Sequence, residues 1–343
     1  MNPNITRVLQ GSAADITRYL ALATLSTPYV FIYKQNGNVL TKVTNPASLP
    51  GVTGRAAAFS ASGTYMAVAS DGTPFVTIYK RAADVFTKLT DPATLPTDNA
   101  YDVAFSADET YLAVAHLTSP YITIYKRSGD TFTKLADPAT LPGVNCQSCS
   151  FSADGTYLFV GSNNTPLLTI YKRSGDVFTK LPNPLSLPPG IVTDIAVDPT
   201  GTYIVTVGGS VPRIAIYKRS GDTFTKLTNP ATVPNAGASA AAFSPDGTYL
   251  AVTFASGSGM IVYKRSGDTF TSLTISSLPA SGYMRGACFS SDGLYLSISH
   301  NGTPYFTLYK RNGDVFTKVT SPADLPINSC MKSSFYPLSI KGS

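Results

Sequence analysis

The sequence predicts an all-β chain of seven repeated four-stranded sheets, and three observations carry that prediction. The first is a fixed period. The motif Ile124-Tyr-Lys-Arg-Ser-Gly-Asp-Thr-Phe-Thr-Lys-Leu135 has close copies along the chain, with their tyrosines at Tyr33, Tyr79, Tyr125, Tyr171, Tyr217, Tyr263 and Tyr309, 46 residues apart without insertion or deletion. The second is composition: 25 Pro and 27 Gly in 343 residues, with only 13% charged, suit short strands joined by frequent turns and leave little room for helix. The third is the pattern inside a unit, where apolar, β-branched and aromatic runs alternate with Ser-Gly-Asp and Asp-Gly turns. The chain is long for one ordinary core. A repeat array escapes that limit because each unit buries its faces against its neighbours.

The third unit shows the elements in order. Residues 102–106 form a first strand of small and apolar side chains, 107–110 a turn, and 111–115 a second strand. After the loop 116–120 comes a third strand, 121–125; the turn 127–130 leads to a fourth, 131–135, and 137–142 connects to the next unit. The third strand alternates Ile with Thr or Tyr and the second alternates Leu or Val with Ala, so neither face reads as solvated. A sheet covered on both faces by copies of itself gives that pattern, as in a β-propeller. The first strands are rich in Ala (Ala56, Ala57, Ala58; Ala240, Ala241, Ala242), whereas Tyr and Phe sit in later strands. That taper fits blades crowded at an axis and diverging outward.

The ends predict closure. Stepping by one period from Phe59 reaches Phe105, Phe151, Val197, Phe243, Phe289 and finally Phe335, so residues 333–336 form an eighth first strand. Ala13, the corresponding position in the first unit, lies in a poor strand sequence. The C-terminal strand is therefore expected to complete the sheet begun by 19–23, 29–33 and 39–43. The organisation predicted is a tail at 1–12, one seven-bladed propeller at 13–336 and a second tail at 337–343.

The run Phe-Ser-Ala-Asp-Gly-Thr-Tyr-Leu at 151–158, and its copy with Pro at 243–250, followed by Ile-Tyr-Lys or Val-Tyr-Lys, resembles the WD40-like and YVTN-like propeller repeats over essentially the whole chain. The sequence departs from true WD40 repeats in having no Trp and no Gly-His or Trp-Asp signature. The resemblance implies the fold rather than an activity. The Tyr-Lys-Arg-Ser-Gly-Asp variant with its Asn/Asp-Pro-Ala-Thr-Leu-Pro connection is also similar to propellers encoded in bacteriophage genomes. That likeness implies a structural protein of the virion, tail- or capsid-attached, assembled in the host cytoplasm with other virion proteins as partners.

The net charge of +6 raises a nucleic-acid reading, but the basic residues follow the repeat. Most are Lys-Arg pairs such as Lys80-Arg81 and Lys126-Arg127, each followed three residues later by an Asp, the pattern of a solvated charged rim. No nucleic-acid partner and no membrane insertion are expected: the N-terminus lacks the pattern of a secretory signal and no apolar run approaches a spanning length. Four unevenly placed cysteines, Cys146, Cys149, Cys288 and Cys330, suit a cytoplasmic site of folding.

Candidate chemistry concentrates at the start of the first strands. Arg55, Tyr101, Gln147, Thr193, Ser239, Arg285 and Met331 occupy equivalent places at the channel mouth, followed by Ala56, Asp102, Ser148, Asp194, Ala240, Gly286 and Lys332. From these, Arg55, Tyr101, Asp102, Gln147, Asp194, Arg285 and Lys332 are the candidate ligand- or partner-binding residues, against the plainer alternative of drift at solvent-facing positions. His116 and His300 fall four units apart after second strands and read as loop residues; Cys146 and Cys149 form one pair without a second. Neither set predicts a metal. No cofactor or catalytic motif appears, including the Gly-x-Ser-x-Gly elbow and the phosphate loop.

The first expectation is accordingly a non-enzymatic interaction scaffold of a virion, using its variable loop face and tails. One alternative is a binder of glycan or protein receptors on a host surface through Tyr29, Tyr101, Tyr121, Tyr283 and Tyr305. The other is a propeller lactonase-like hydrolase acting at the channel mouth through Asp102 or Asp194 with Arg55 or Arg285.

Overall fold

Alternation of side chains along each strand buries both faces, and the computed structural model, which describes residues 17–257, 259–279 and 282–336, shows what covers them: seven four-stranded antiparallel sheets. Blade 3 is typical, with strands Ala100–Phe105, Tyr111–His116, Ile122–Ser128 and Thr131–Lys134 running from axis to rim. Blades 2 to 7 repeat this order at 54–88, 100–134, 146–180, 192–226, 238–272 and 284–318. In blade 1 the innermost strand is Cys330–Phe335, hydrogen-bonded antiparallel to Arg18–Thr24. That strand also packs between the inner strands of blades 7 and 2, so the ring is closed by its C-terminal strand as expected. The proposed tails, 1–12 and 337–343, and Ala13 lie outside the described residues.

Second strands are buried throughout, as Tyr111–His116 illustrates, because they sit mid-blade between two neighbouring sheets. Outermost strands such as Thr131–Lys134 bury a single side chain, Phe132. The repeated tyrosine of the third strand is fully buried in every blade. In six of them its hydroxyl donates to a carbonyl of the connection entering that blade, for example Tyr125 to Thr94 at 2.9 Å.

The second-strand tyrosines act as a joint between blades. Tyr111 donates to Asp176 Oδ1 of blade 4 at 2.6 Å, and its ring meets Phe178 edge-on at 5.7 Å. The Arg173 guanidinium lies over the same ring at 4.8 Å, and Lys126 donates to Asp176 Oδ2 at 2.7 Å. The Lys-Arg and Asp charges of the motif thus cancel across blades rather than within one. The lysine and aspartate side chains are each nearly half exposed, which makes the ion pair a weak contributor beside the buried rings and the hydroxyl.

The joint between blades 7 and 1 is built differently. Asn38 replaces the aspartate and accepts from Tyr295 at 2.9 Å. Gln35 stands where other blades carry arginine, and the guanidinium comes instead from its cross-strand partner Arg18, which lies over Tyr295 at 5.2 Å and pairs with Asp292.

Candidate functional site

Inner strands place one side chain per blade at each level of the channel, so seven equivalent positions become a ring. The mouth ring, Arg55, Tyr101, Gln147, Thr193, Ser239, Arg285 and Met331, lines a cavity of about 430 Å³ whose floor includes Lys332. Several of these groups are already committed. Arg55 donates from Nε and Nη2 to both carboxylate oxygens of Asp71 at 2.6 Å each, and its guanidinium lies 5.1 Å over the Tyr101 ring. That fork-on-carboxylate geometry holds the Arg55 charge in place and pushes its pKa up. Thr193 donates to Ala238 O at 2.8 Å and Ser239 to Met284 O at 2.7 Å, each stitching its strand to the next blade.

Arg285 is different. It is half-buried, its Nε is enclosed without a hydrogen-bond partner, and among the described residues no carboxylate pairs with it. Burial, together with the nearby Arg55 charge, depresses its pKa. The Gln147 amide across the mouth also has no protein partner among the described residues. Tyr283, 54% exposed, stands on the rim.

One level deeper lies a belt of charge. Lys332 Nζ donates to Asp102 Oδ2 and to Asp194 Oδ1 at 2.7 Å each, so the closing strand of blade 1 reaches across the axis to blades 3 and 5. Both aspartates are buried, at 7% and 8% exposure. They also cap backbone N–H groups of neighbouring blades: Asp102 accepts from Cys149 N at 3.2 Å, Asp194 from Ala241 N at 2.9 Å. Ser148, between them, donates to Asp194 at 3.1 Å and accepts from Ile195 N. Gly286 makes room for the closing strand, since a Cβ there would meet Met331 O at 2.7 Å and Lys332 Cα at 3.0 Å.

Burial raises the Asp102 pKa and Asp194 adds to that, with Lys332 opposing. For Lys332, burial works against the ammonium, but the two carboxylates overcome it and hold the pKa above its ordinary value. Lys332 is therefore a fixed ammonium rather than a nucleophile.

The structure brings together Arg55, Tyr101, Gln147, Arg285 and Lys332 around the mouth cavity, and places Asp102 and Asp194 beneath it, facing a second cavity of about 300 Å³ toward the opposite face. The arginines and aspartates thus do not share one chamber, and Lys332 alone of these residues lines both. Asp71, which neutralises Arg55, carried no motif signal; its position sixteen residues after Arg55 gains meaning only through pairing of the first two strands.

Of the tyrosines considered for glycan stacking, Tyr101 and Tyr283 reach the mouth. Tyr29, Tyr121 and Tyr305 follow cis prolines at φ 66°, 66° and 73° and are half-buried in the 2–3 loops. The histidines are a correction: they end buried strands rather than sit in loops. His116 bonds Thr123 Oγ1 at 3.0 Å and His300 bonds Thr307 Oγ1 at 3.0 Å. Among the described residues no group of three potential metal ligands converges, and the four cysteines are free thiols.

The family model described as "Lactonase, 7-bladed beta-propeller" matches residues 14–181. The fold is the seven-bladed propeller found in lactonases. Among solved structures, a candidate 6-phosphogluconolactonase from Bacteroides uniformis superposes with a TM-score of 0.75 at 14% identity, covering 94% of this chain and 99% of that one. Another candidate 6-phosphogluconolactonase, from Bacteroides fragilis, gives 0.74 at 13% identity with the same coverage. The periplasmic gluconolactonase of Pseudomonas aeruginosa gives 0.70 at 14%, covering 93% and 99%. A search of curated proteins finds no match.

These matches overturn the first expectation. The lactonase family match and the lactonase propellers among the structural neighbours run against a bacteriophage virion scaffold and against a non-enzymatic role. The Tyr-Lys-Arg-Ser-Gly-Asp motif is accounted for by the joints between blades, where Lys126 reaches Asp176 of the next blade and Asp130 accepts from Lys80 of the preceding one.

Proposed function

We propose that the protein is a lactone hydrolase acting in the channel-mouth cavity. The observation that carries this reading is Lys332, an ammonium fixed between Asp102 and Asp194 on the floor of a cavity of about 430 Å³. Water addition to a lactone carbonyl develops negative charge on the carbonyl oxygen, and pre-placed donors lower that barrier most. An ammonium has three N–H donors. Two are committed to the aspartates, and the third is assigned to the carbonyl oxygen, where it acts as an aimed hydrogen-bond donor rather than as a net positive charge. Collapse of the adduct breaks the ring C–O bond; the alkoxide takes up the proton that the attacking water gives up, and the water's second proton leaves to solvent as the new carboxyl group ionises, giving a hydroxy-carboxylate. Asp102 and Asp194 are positioning residues in this scheme, keeping Lys332 charged and aimed. The lactonase match over 14–181 supports the reaction class.

The test is a panel of γ- and δ-lactones followed by acid release. Turnover above the buffer rate is expected, with kcat falling by roughly a hundredfold in Lys332→Met measured where the variant is folded. A panel on which the wild-type protein does no better than buffer would sink the reading.

A further inference from the structure

We infer that Arg285 forms a binding site for a single carboxylate at the channel mouth, rather than for a phosphate dianion. Charge accounting carries the argument. Arg55 is neutralised by its forked pair with Asp71, and Lys332 is more than neutralised by Asp102 and Asp194. Arg285 is the mouth's one cation with no carboxylate partner among the described residues, and its Nε is enclosed and unpartnered. Its guanidinium lines the cavity without a carboxylate of its own, so an anion entering the mouth meets a cation that no described residue neutralises.

A planar carboxylate matches the guanidinium fork and brings one negative charge. A phosphate monoester brings close to two, and the excess would face the Asp102 and Asp194 belt beneath. Gln147, whose amide has no protein partner among the described residues, stands across the mouth to meet the hydroxyls of such a ligand.

The ligand class, a hydroxy-carboxylate or a carboxyl-bearing lactone, rests on the hydrolase reading; the carboxylate site rests on the geometry of Arg285 alone. The experiment is isothermal titration of the full chain with gluconate, with inorganic phosphate and with uncharged sorbitol. Saturable gluconate binding is expected, weakened at least tenfold in Arg285→Gln and partly retained in Arg285→Lys, with phosphate weaker than gluconate and sorbitol silent. No saturable gluconate binding, equal binding by a folded Arg285→Gln variant, or tighter binding of phosphate would each overturn the inference.

Kinetics then separate the sources of the carboxylate. If it is the product's, Arg285→Gln relieves product inhibition with neutral lactones; if it is the substrate's, KM rises for carboxyl-bearing lactones alone. Gluconate binding that depends on Arg285 without any lactone turnover leaves the site standing and removes the hydrolase. Turnover without such binding does the reverse.

Discussion

Replacing Lys332 with Met is the most informative single change, because it removes the one cation that two buried carboxylates share. In the native belt Nζ stands 2.7 Å from an oxygen of each aspartate, and neither aspartate is more than 8% exposed. Breaking a buried ion pair by deleting one partner costs about 3–5 kcal/mol, since the remaining charge is left in a poorly solvated place. Against a typical domain stability of about 5–15 kcal/mol, the variant should fold but unfold at markedly lower urea.

The sign of its pH dependence follows from Asp102. Its pKa is already raised by burial and by Asp194, and loss of the ammonium removes the opposing influence. A carboxyl whose folded pKa exceeds its unfolded value favours folding more at low pH, losing that contribution as pH rises through the folded value. Lys332→Met should therefore be penalised more at pH 8 than at pH 5, by urea denaturation at both. The triple variant Lys332→Met, Asp102→Asn, Asp194→Asn should recover most of the loss, because the amide oxygens still accept from Cys149 N and Ala241 N. Equal destabilisation at both pH values, or none at either, would show that the belt does not hold buried charge as described.

Three further outcomes are expected. Truncation after Asn328 removes the inner strand of blade 1 with Cys330, Lys332, Phe335 and Tyr336, and should leave a chain without a cooperative melting transition; an unchanged melting temperature would refute closure by that strand. Tyr125→Phe should cost about 1 kcal/mol by deleting the bond to Thr94 O, whereas Tyr217→Phe should be close to neutral, because the Tyr217 hydroxyl is buried with no partner; paired urea curves decide it. His116, buried neutral, has its pKa pushed down to about 4 chiefly by burial, so the unfolded chain takes up its proton first and stability should fall as pH drops from about 6.5 to 4. That lowering corresponds to about 3 kcal/mol, and the dependence in this window should shrink in His116→Gln.

The fold was legible because the period is uninterrupted and every local choice agrees with it: the Gly turns, the alternating strands, and the phase that made Phe335 an eighth first strand. Equivalence also identified the mouth ring, since residues one period apart must share a level. What equivalence does not encode is reach across the axis. Lys332 occupies the same level as Ala56 and Gly286, and only their small side chains, with the length of its own, let it meet Asp102 and Asp194 two blades apart. His116 was misread for a related reason: it follows an alternating strand and precedes a Thr-Ser-Pro loop, yet strand pairing carries it one residue further and sets it beside Thr123. The exchange of Arg18 with Gln35 was invisible because an arginine outside its periodic place looks like drift until the cross-strand pair is seen.

The strand that locks the ring is also the one that brings Lys332 and Met331 to the cavity. Six members of the mouth ring come from blades complete in themselves, but Met331 and the Lys332 floor arrive with the residues that finish the seventh. A chain whose last strand is unseated therefore lacks the floor of the pocket. Any chemistry that depends on Lys332 then reports directly on whether the ring is shut, and a lesion at a distant joint that springs the strand would silence the site without touching a residue in it.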